Sequence, residues 1–468
     1  MKHTLQFLGA AENVTGSRHL LECDGTKILV DCGLYQEREY QNRNWEDFGV
    51  VPADVDAILL THAHLDHCGL IPRLAKQGFS GKIYCTPATA EIAKIVLLDA
   101  GKLQEEDAEF KQKRHKREGR KSPRPIEPLY TVEDAQKCFA LFSPIEFNKQ
   151  FSIGGIQATF HEAGHILGAS IIRLQCALNG QKRTIIFTGD LGRSNKPIIR
   201  DPQVFQQTDY LLVESTYGDR EHQNIQDTKE QLARAVNETY KAGGNIIVPS
   251  FSIERSQEVL YYMNQLLMED RIPHIMTFLD SPMAVKVTEV FEKHPELYDD
   301  KMRELMSQNE SPFSFKGLKK VQSTRESKAI NNIRGTIMII AGSGMCTGGR
   351  IKHHLVNNIT RPESTILFVG YQAAGTLGRH ILDGNSSEVR ILGQMYPVRA
   401  RIERVHGFSA HADRKEILEW LGNLKKAPKK VFVVHGEKDA AASFRDYLAE
   451  KTGWDVMVAK YKQQVEIT

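Results

Sequence analysis

Short apolar runs that stop at glycine open the chain. HTLQFLG (3–9), SRHLLECDG (17–25) and TKILVDCG (26–33) each alternate or run apolar and end at glycine, which predicts the strands of a meander. VDAILLTHAHLDHCG (55–69) holds a buried strand, Ala57 to Leu60, that runs straight into a polar loop. IPRLAKQG reads as a short helix stopped by Gly78, GKIYCTP as a strand, and Ala88 to Asp99 as a helix. Residues 104–125 break the rhythm, with an acidic start, a basic middle and a proline-terminated end. That run is either a solvated helix followed by a mobile loop or a basic arm for a nucleic-acid backbone.

FSIGGIQATFHEAGH, ASIIRLQCAL and KRTIIFTGDLG restore the strand-and-turn rhythm, and DYLLVESTYGD adds a buried strand. The pattern then alternates: TKEQLARAVNETYKAG is an amphipathic helix, NIIVPSF a strand, ERSQEVLYYMNQLLMED a helix and IMTFLD a strand. GTIMIIAGSGM and STILFVGYQ are further strands, each closed by a glycine-rich turn. Such alternation predicts a mostly parallel sheet flanked by helices over about 207–396. From Arg401 strand character returns, with a helix from Arg414 to Leu424 and the strand KKVFVVHG. The expected organisation is a β-rich body formed by 1–206 and 397–468, with an α/β domain inserted at 207–396.

A chain of 468 residues is too long for one ordinary core, which agrees with that division. Sixty-one basic residues against 58 acidic ones give a net charge of +3, so bulk charge does not point to a polyanion. Seven cysteines stand singly, without a CxxC pair, and argue for a reducing compartment. The opening MKHTLQFLGAAENVTGS does not read as a signal peptide, and no run reaches the ~20 apolar residues of a membrane span. The expected location is the cytoplasm, with no membrane partner.

The chemistry concentrates in Thr61-His62-Ala63-His64-Leu65-Asp66-His67. Imidazoles and carboxylates are the ligands zinc accepts in hydrolytic sites. An extended HxH puts both imidazoles on one face, and the following turn brings Asp66 and His67 to a second position. Three histidines and an aspartate in six residues after an apolar strand are hard to explain as ordinary packing. His165, Asp190 and His411 stand at later strand ends and complete a set for two zinc ions, Asp190 being able to bridge through its two oxygens.

In these motifs, and in Asp31, the sequence resembles the metallo-β-lactamase superfamily. The resemblance implies an αββα sandwich in which His62, His64 and His165 hold one zinc, Asp66, His67 and His411 the other, and Asp190 bridges them. Asp31 then orients ligand histidines from outside. The inserted α/β segment resembles the β-CASP domain of RNA- and DNA-processing nucleases, with Glu214 in VESTYGD, His380 in GTLGRHILDG and His411 in GFSAHAD as its motif residues. The histidine at 380 matches the RNA-directed members. GFSAHAD is similar to the form in the endonuclease subunit of the cleavage-and-polyadenylation factor, and the chain is expected to be the compact bacterial form.

The resemblance implies a zinc-dependent ribonuclease that cuts RNA internally, with trimming from the 5′ end as a second mode. A metal-bridged hydroxide would attack phosphorus with Asp66 at the metal, while His380 protonates the leaving oxygen and Glu214 orients His380. The glycine-rich turn AGSGMCTGGR, with Ser343, Gly344 and Met345, is a candidate phosphate cradle ahead of a basic helix. Ser250 and Arg255 either line the same cleft or serve turn and helix packing. His435, after a buried strand, is expected at the rim of the site near a phosphate rather than as a ligand. The resemblance is also compatible with a homodimer. Two other readings stand beside the nuclease: a small-molecule metallo-hydrolase of the same fold, and an inactive RNA-binding homologue.

Overall fold

The computed structural model describes residues 3–119, 121–122, 125–178, 180–222, 228–308, 310–373 and 375–468. The chain divides into two compact units, one of Met1–Lys196, Arg200–Glu221 and Ala410–Thr468, the other of Pro197–Ile199 and His222–Ser409.

The first unit holds two seven-stranded sheets. β1 (Thr4–Phe7), β2 (His19–Cys23), β3 (Thr26–Val30), β4 (Ala57–Leu59), β5 (Lys82–Cys85) and β6 (Phe142–Pro144) lie side by side in chain order. The first three pair antiparallel, and β3 to β6 are parallel. The second sheet begins with the antiparallel strands β7 (Phe151–Ile153), β8 (Ile156–Glu162), β9 (Ser170–Leu178) and β10 (Gln181–Phe187). β11 (Tyr210–Glu214) continues it in parallel. Alternate residues on the facing sides of both sheets, among them Leu5, Leu21, Ile28, Phe160, Leu174 and Leu212, form one buried core.

The second unit is built on a six-stranded sheet. β12 (Ile246–Pro249), β13 (Met276–Leu279), β14 (Leu318–Lys320), β15 (Ile337–Ala341), β16 (Thr365–Phe368) and β19 (Arg401–Arg404) run in the order β14-β13-β15-β12-β16-β19, every pair parallel. The hairpin β17 (Glu388–Ile391) and β18 (Gln394–Pro397) stands apart from it. β12, β15 and β16 are buried at every position, as expected of central parallel strands covered on both faces. After it, β20 (Lys430–Val434) and β21 (Val456–Val458) extend the second sheet of the first unit beside β11, and β22 (Gln464–Glu466) closes its first sheet against β1.

The observed boundaries fall later than the expected 207 and 396. β11 was assigned to the inserted domain, but its apolar residues pair with β10 and β20 in the first unit. β19 was assigned to the final segment, yet it pairs with β16. Both are short apolar runs, and only the partner strand decides ownership.

The helix expected over Ala88–Asp99 runs from Pro87 to Glu118. Thr86 caps its start by accepting from Thr89 N, and Gly119 ends it in the left-handed conformation at φ 62°. Its solvated half is tied by pairs one turn apart, Lys102–Glu106, Lys111–Asp107, Lys113–Glu109 and Arg114–Glu118. In the loop expected to follow, residues 120, 123 and 124 lie outside the described residues.

Candidate metal centre

β4 ends at Leu59, and the chain stays extended through His62 to His64, which precedes the helical turn Leu65–Cys68. That turn carries Asp66 and His67. Gly33 makes the fit possible: a Cβ there would lie 1.6 Å from the Asp66 carbonyl oxygen. Ser17 N donates to that same oxygen at 2.8 Å, and Cys32 N to the His67 carbonyl at 2.7 Å. Gly192 plays the same part across the site, pressed against the Gly164 carbonyl next to His165.

His62, His64, His165 and Asp190 place one donor atom each within 4.8 Å of one another, and Asp66, His67 and His435 do the same. His62 Nε2 is 3.0 Å from His64 Nδ1, and His165 Nε2 is 3.2 Å from that nitrogen. His67 Nε2 is 3.1 Å from His435 Nε2. Asp190 lies between the groups, Oδ2 3.4 Å from both His62 and His165 and Oδ1 3.2 Å from His67 and 3.5 Å from His435. Imidazole nitrogens converging at such distances oppose their lone pairs, and a cation between them removes the conflict. The donor set of nitrogens and carboxylate oxygens fits zinc.

Asp31 sits behind this cluster. Its carboxylate accepts from His67 Nδ1 at 2.7 Å, Thr61 N at 2.8 Å, Thr61 Oγ1 at 3.0 Å and Ser17 Oγ at 3.2 Å. Holding the Nδ1 proton leaves His67 Nε2 as the coordinating nitrogen. Burial pulls His64 down to about 3, aided by the His62 ring, so it stays neutral and able to ligate. Burial also lowers His165, with His411 adding to it. Burial opposes the charge on Asp190, but His435, His67 and His62 outweigh it and hold the carboxyl well below its usual range.

His411 is placed differently from expectation. Its Nδ1 donates to both oxygens of Glu214, at 3.0 and 3.1 Å, and lies 3.9 Å from Asp190 Oδ2. The Asp66–His67 pair is completed by His435, which the count of expected ligands had set aside. His435 follows β20 at φ 51° and rests on Thr216, whose Oγ1 is 3.1 Å from its Nδ1. Glu214, at the end of β11 and fully buried, also accepts from Leu191 N at 2.6 Å. Its carboxylate therefore orients His411 and not His380. Burial opposes the His411 charge, but Glu214 outweighs it and lifts the imidazole to about 9. His19, outside the expected set, is also buried beside Asp31 and His67, and burial lowers it to about 4. Its place inside a regular strand gave no signal.

In the second unit, His380 is exposed on the helix Leu377–Asp383. Ser343 turns its hydroxyl back into the glycine-rich loop, accepting from Thr347 N at 2.9 Å and Gly348 N at 3.2 Å. Gly344 packs on the Phe251 ring, and the Met345 carbonyl accepts from Gly378 N. Ser250 is buried and Ser256 Oγ donates to it at 3.1 Å. Arg255 is buried too, paired with Glu258 and 5.4 Å above the Phe408 ring. For Ser250 and Arg255 the structure favours the packing alternative.

Three family models match: a metallo-beta-lactamase superfamily domain over residues 20–213, a Beta-Casp domain over 256–381, and a Zn-dependent metallo-hydrolase RNA specificity domain over 395–459. The chain is 36% identical to Ribonuclease TTHA0252 of Thermus thermophilus, over 98% of this chain and 99% of that protein. It is 31% identical to the transcription termination factor FttA of Methanocaldococcus jannaschii, over 94% of this chain and 68% of that one. A crystal structure of a protein of unknown function from Enterococcus faecalis V583 shares the fold at TM-score 0.58 and 14% identity, each chain covered completely.

Proposed function

Because the chain belongs to the metallo-β-lactamase superfamily, in the branch that carries a Beta-Casp domain, we propose that it is a zinc-dependent ribonuclease hydrolysing RNA phosphodiester bonds. His62, His64, His165 and Asp190 Oδ2 would hold one zinc, and Asp66, His67, His435 and Asp190 Oδ1 a second. Bound there, zinc supplies Lewis acidity toward a phosphoryl oxygen and acidifies water toward neutrality.

Hydrolysis adds water to phosphorus and breaks the bond to the leaving oxygen, which departs as a strongly basic alkoxide unless it is protonated. With its Nδ1 proton held by Glu214, His411 in its protonated form would carry a second proton on Nε2 and deliver it to that oxygen. Asp31 fixes the tautomer of His67, and Thr216 positions His435.

The observation that carries this reading is the Glu214–His411 pair set against Asp190. A thioester hydrolase releases a far weaker base, a thiolate, and has less use for an imidazole held protonated up to about pH 9. Internal cutting is the mode we assign, with 5′-end trimming as the second. Radiolabelled RNA incubated with the protein should be cut, and a chelator should abolish the cutting. RNA that is bound but left intact would support an inactive homologue, and cleavage that survives chelation would overturn the zinc assignment. The same family models and the ribonuclease relative support RNA as the substrate class.

A further inference from the structure

We propose that His3, Cys23, Asp24 and Cys176 form a second kind of metal site, a structural zinc centre that ties the two sheets of the first unit together. β1 and β2 pair Thr4 with Glu22 and Leu5 with Leu21, so the register sets His3 opposite Cys23. Residues opposite one another share a face, and here it is the inner one: Leu5 and Leu21 beside them are fully buried. His3 and Cys23 are accordingly 4% and 2% exposed.

Asp24 follows at the tip of the β2–β3 hairpin, where Asp24 and Gly25 both have positive φ, as a two-residue turn of this hand requires. One donor atom each from His3, Cys23 and Asp24 lies within 4.8 Å of the others. From the opposite sheet, Cys176 on β9 projects into the same core cluster as Cys23.

With the Cys176 thiol drawn in beside that group, two thiolates, an imidazole and a carboxylate would make a tetrahedral zinc set. Bonds of about 2.0–2.3 Å would put the donor atoms roughly 3.3–3.8 Å apart, so His3, Cys23 and Asp24 would close in from within 4.8 Å and Cys176 would move in from outside that group. A second observation points the same way. His3 Nδ1 is buried with no hydrogen-bond partner among the described residues, a condition interiors rarely leave unmet. The other ring nitrogen, Nε2, approaches Asp24 Oδ1 at 3.7 Å, beyond hydrogen-bond distance. Binding would release the two thiol protons to solvent and leave the site with a net charge of −1.

This centre is remote from the catalytic cluster. β2 carries His19 at its catalytic end and Cys23 at the other, four residues or roughly 13 Å away. Its ligands include sulfur, whereas those of the catalytic cluster are nitrogen and oxygen only. That difference makes the sites separable.

The full chain is loaded with cobalt(II) in place of zinc, and its near-ultraviolet spectrum is read for thiolate-to-cobalt charge transfer. Wild type should show the band, Cys176→Ser about half of it, and the Cys23→Ser, Cys176→Ser double variant none. His3→Ala should lower metal content by one equivalent per chain while cleavage of RNA is kept. Visible cobalt bands without charge transfer in wild type would overturn the proposal, and so would a band that survives the double variant. A Cys23–Cys176 disulfide found on thiol titration of the denatured wild type would overturn it as well. The cobalt spectra, the metal content and the thiol titration do not depend on the nuclease reading.

Discussion

Both units end their strands on polar side chains, and they treat them in opposite ways. In the first unit, His62, His64, His165, His67 and His435 turn nitrogens toward one another across 3.0–3.2 Å, like facing like. In the second, strand ends are matched donor to acceptor. Asp280, which follows β13 and is fully buried, accepts from Arg350 Nη1, His354 Nε2 and Ser327 Oγ, each at 2.6 Å. Ser252 and Ser281 share a further hydrogen bond at 3.2 Å. A polar cluster that leaves its own members in conflict is built for something to be added, while one that satisfies itself is a fastening. The glycine-rich loop after β15 is held by such a fastening, since Arg350 at its end also donates to the carbonyls of Val321 and Gln322.

The largest effects should separate the histidines of the first unit. His435→Ala is expected to lose bound metal together with turnover, because it removes a ligand beside Asp66 and His67. His411→Ala should keep its metal and lower kcat by about 10²–10⁴, the usual worth of a proton donor. His380→Ala should stay within about tenfold of wild type. Metal analysis with single-turnover cleavage distinguishes the three; metal loss in His411→Ala with retention in His435→Ala would reverse the assignment.

The same pair fixes a pH dependence. The donor must be protonated, so activity is present below the His411 value of about 9 and falls as pH rises through it. Glu214→Gln removes the charge that raises it, and the alkaline limb should move down toward the ordinary histidine value of about 6.5. A limb that does not move would exclude His411 as its source.

What the sequence displayed and what it hid follow from the same physics. His62 to His67 were legible because their spacing is local, set by one strand and one turn. His165 and Asp190 were legible because each follows the end of a strand closely and stands among turn glycines. Pairing was not legible: GFSAHAD and VVHGEKD both offer a histidine, and only the β11–β20 ladder brings His435 beside His67 and leaves His411 to Glu214. The exchange of β11 and β19 between units is the same lesson at larger scale, since an apolar run does not record its neighbour. Arg255 looked like a phosphate contact because its helix start is local, whereas Glu258 and Phe408 claim it from within the fold.

A smaller effect should come from the fastening in the second unit. Asp280→Ala strands a buried imidazole and a guanidinium without their acceptor, and should cost about 3 kcal/mol of stability. Denaturant unfolding should show the loss while zinc content stays unchanged, because no ligand belongs to that unit. Equal loss of metal would mean that the two polar clusters are not independent.

The smallest effect is expected from the basic run on the helix Pro87–Glu118. Lys111, Lys113 and Arg114 are exposed, yet each has an acidic partner one turn away. A cation already paired in this way releases few counterions on meeting a phosphate, so it adds little to the salt dependence of binding. Each new phosphate contact to a single strand steepens the slope of log affinity against log salt by about 0.7. Replacing all three by glutamine should therefore change the slope for RNA by less than about one, where three full contacts would change it by about two. A change of two or more would make this helix a nucleic-acid arm, and would show that the pairs open on binding.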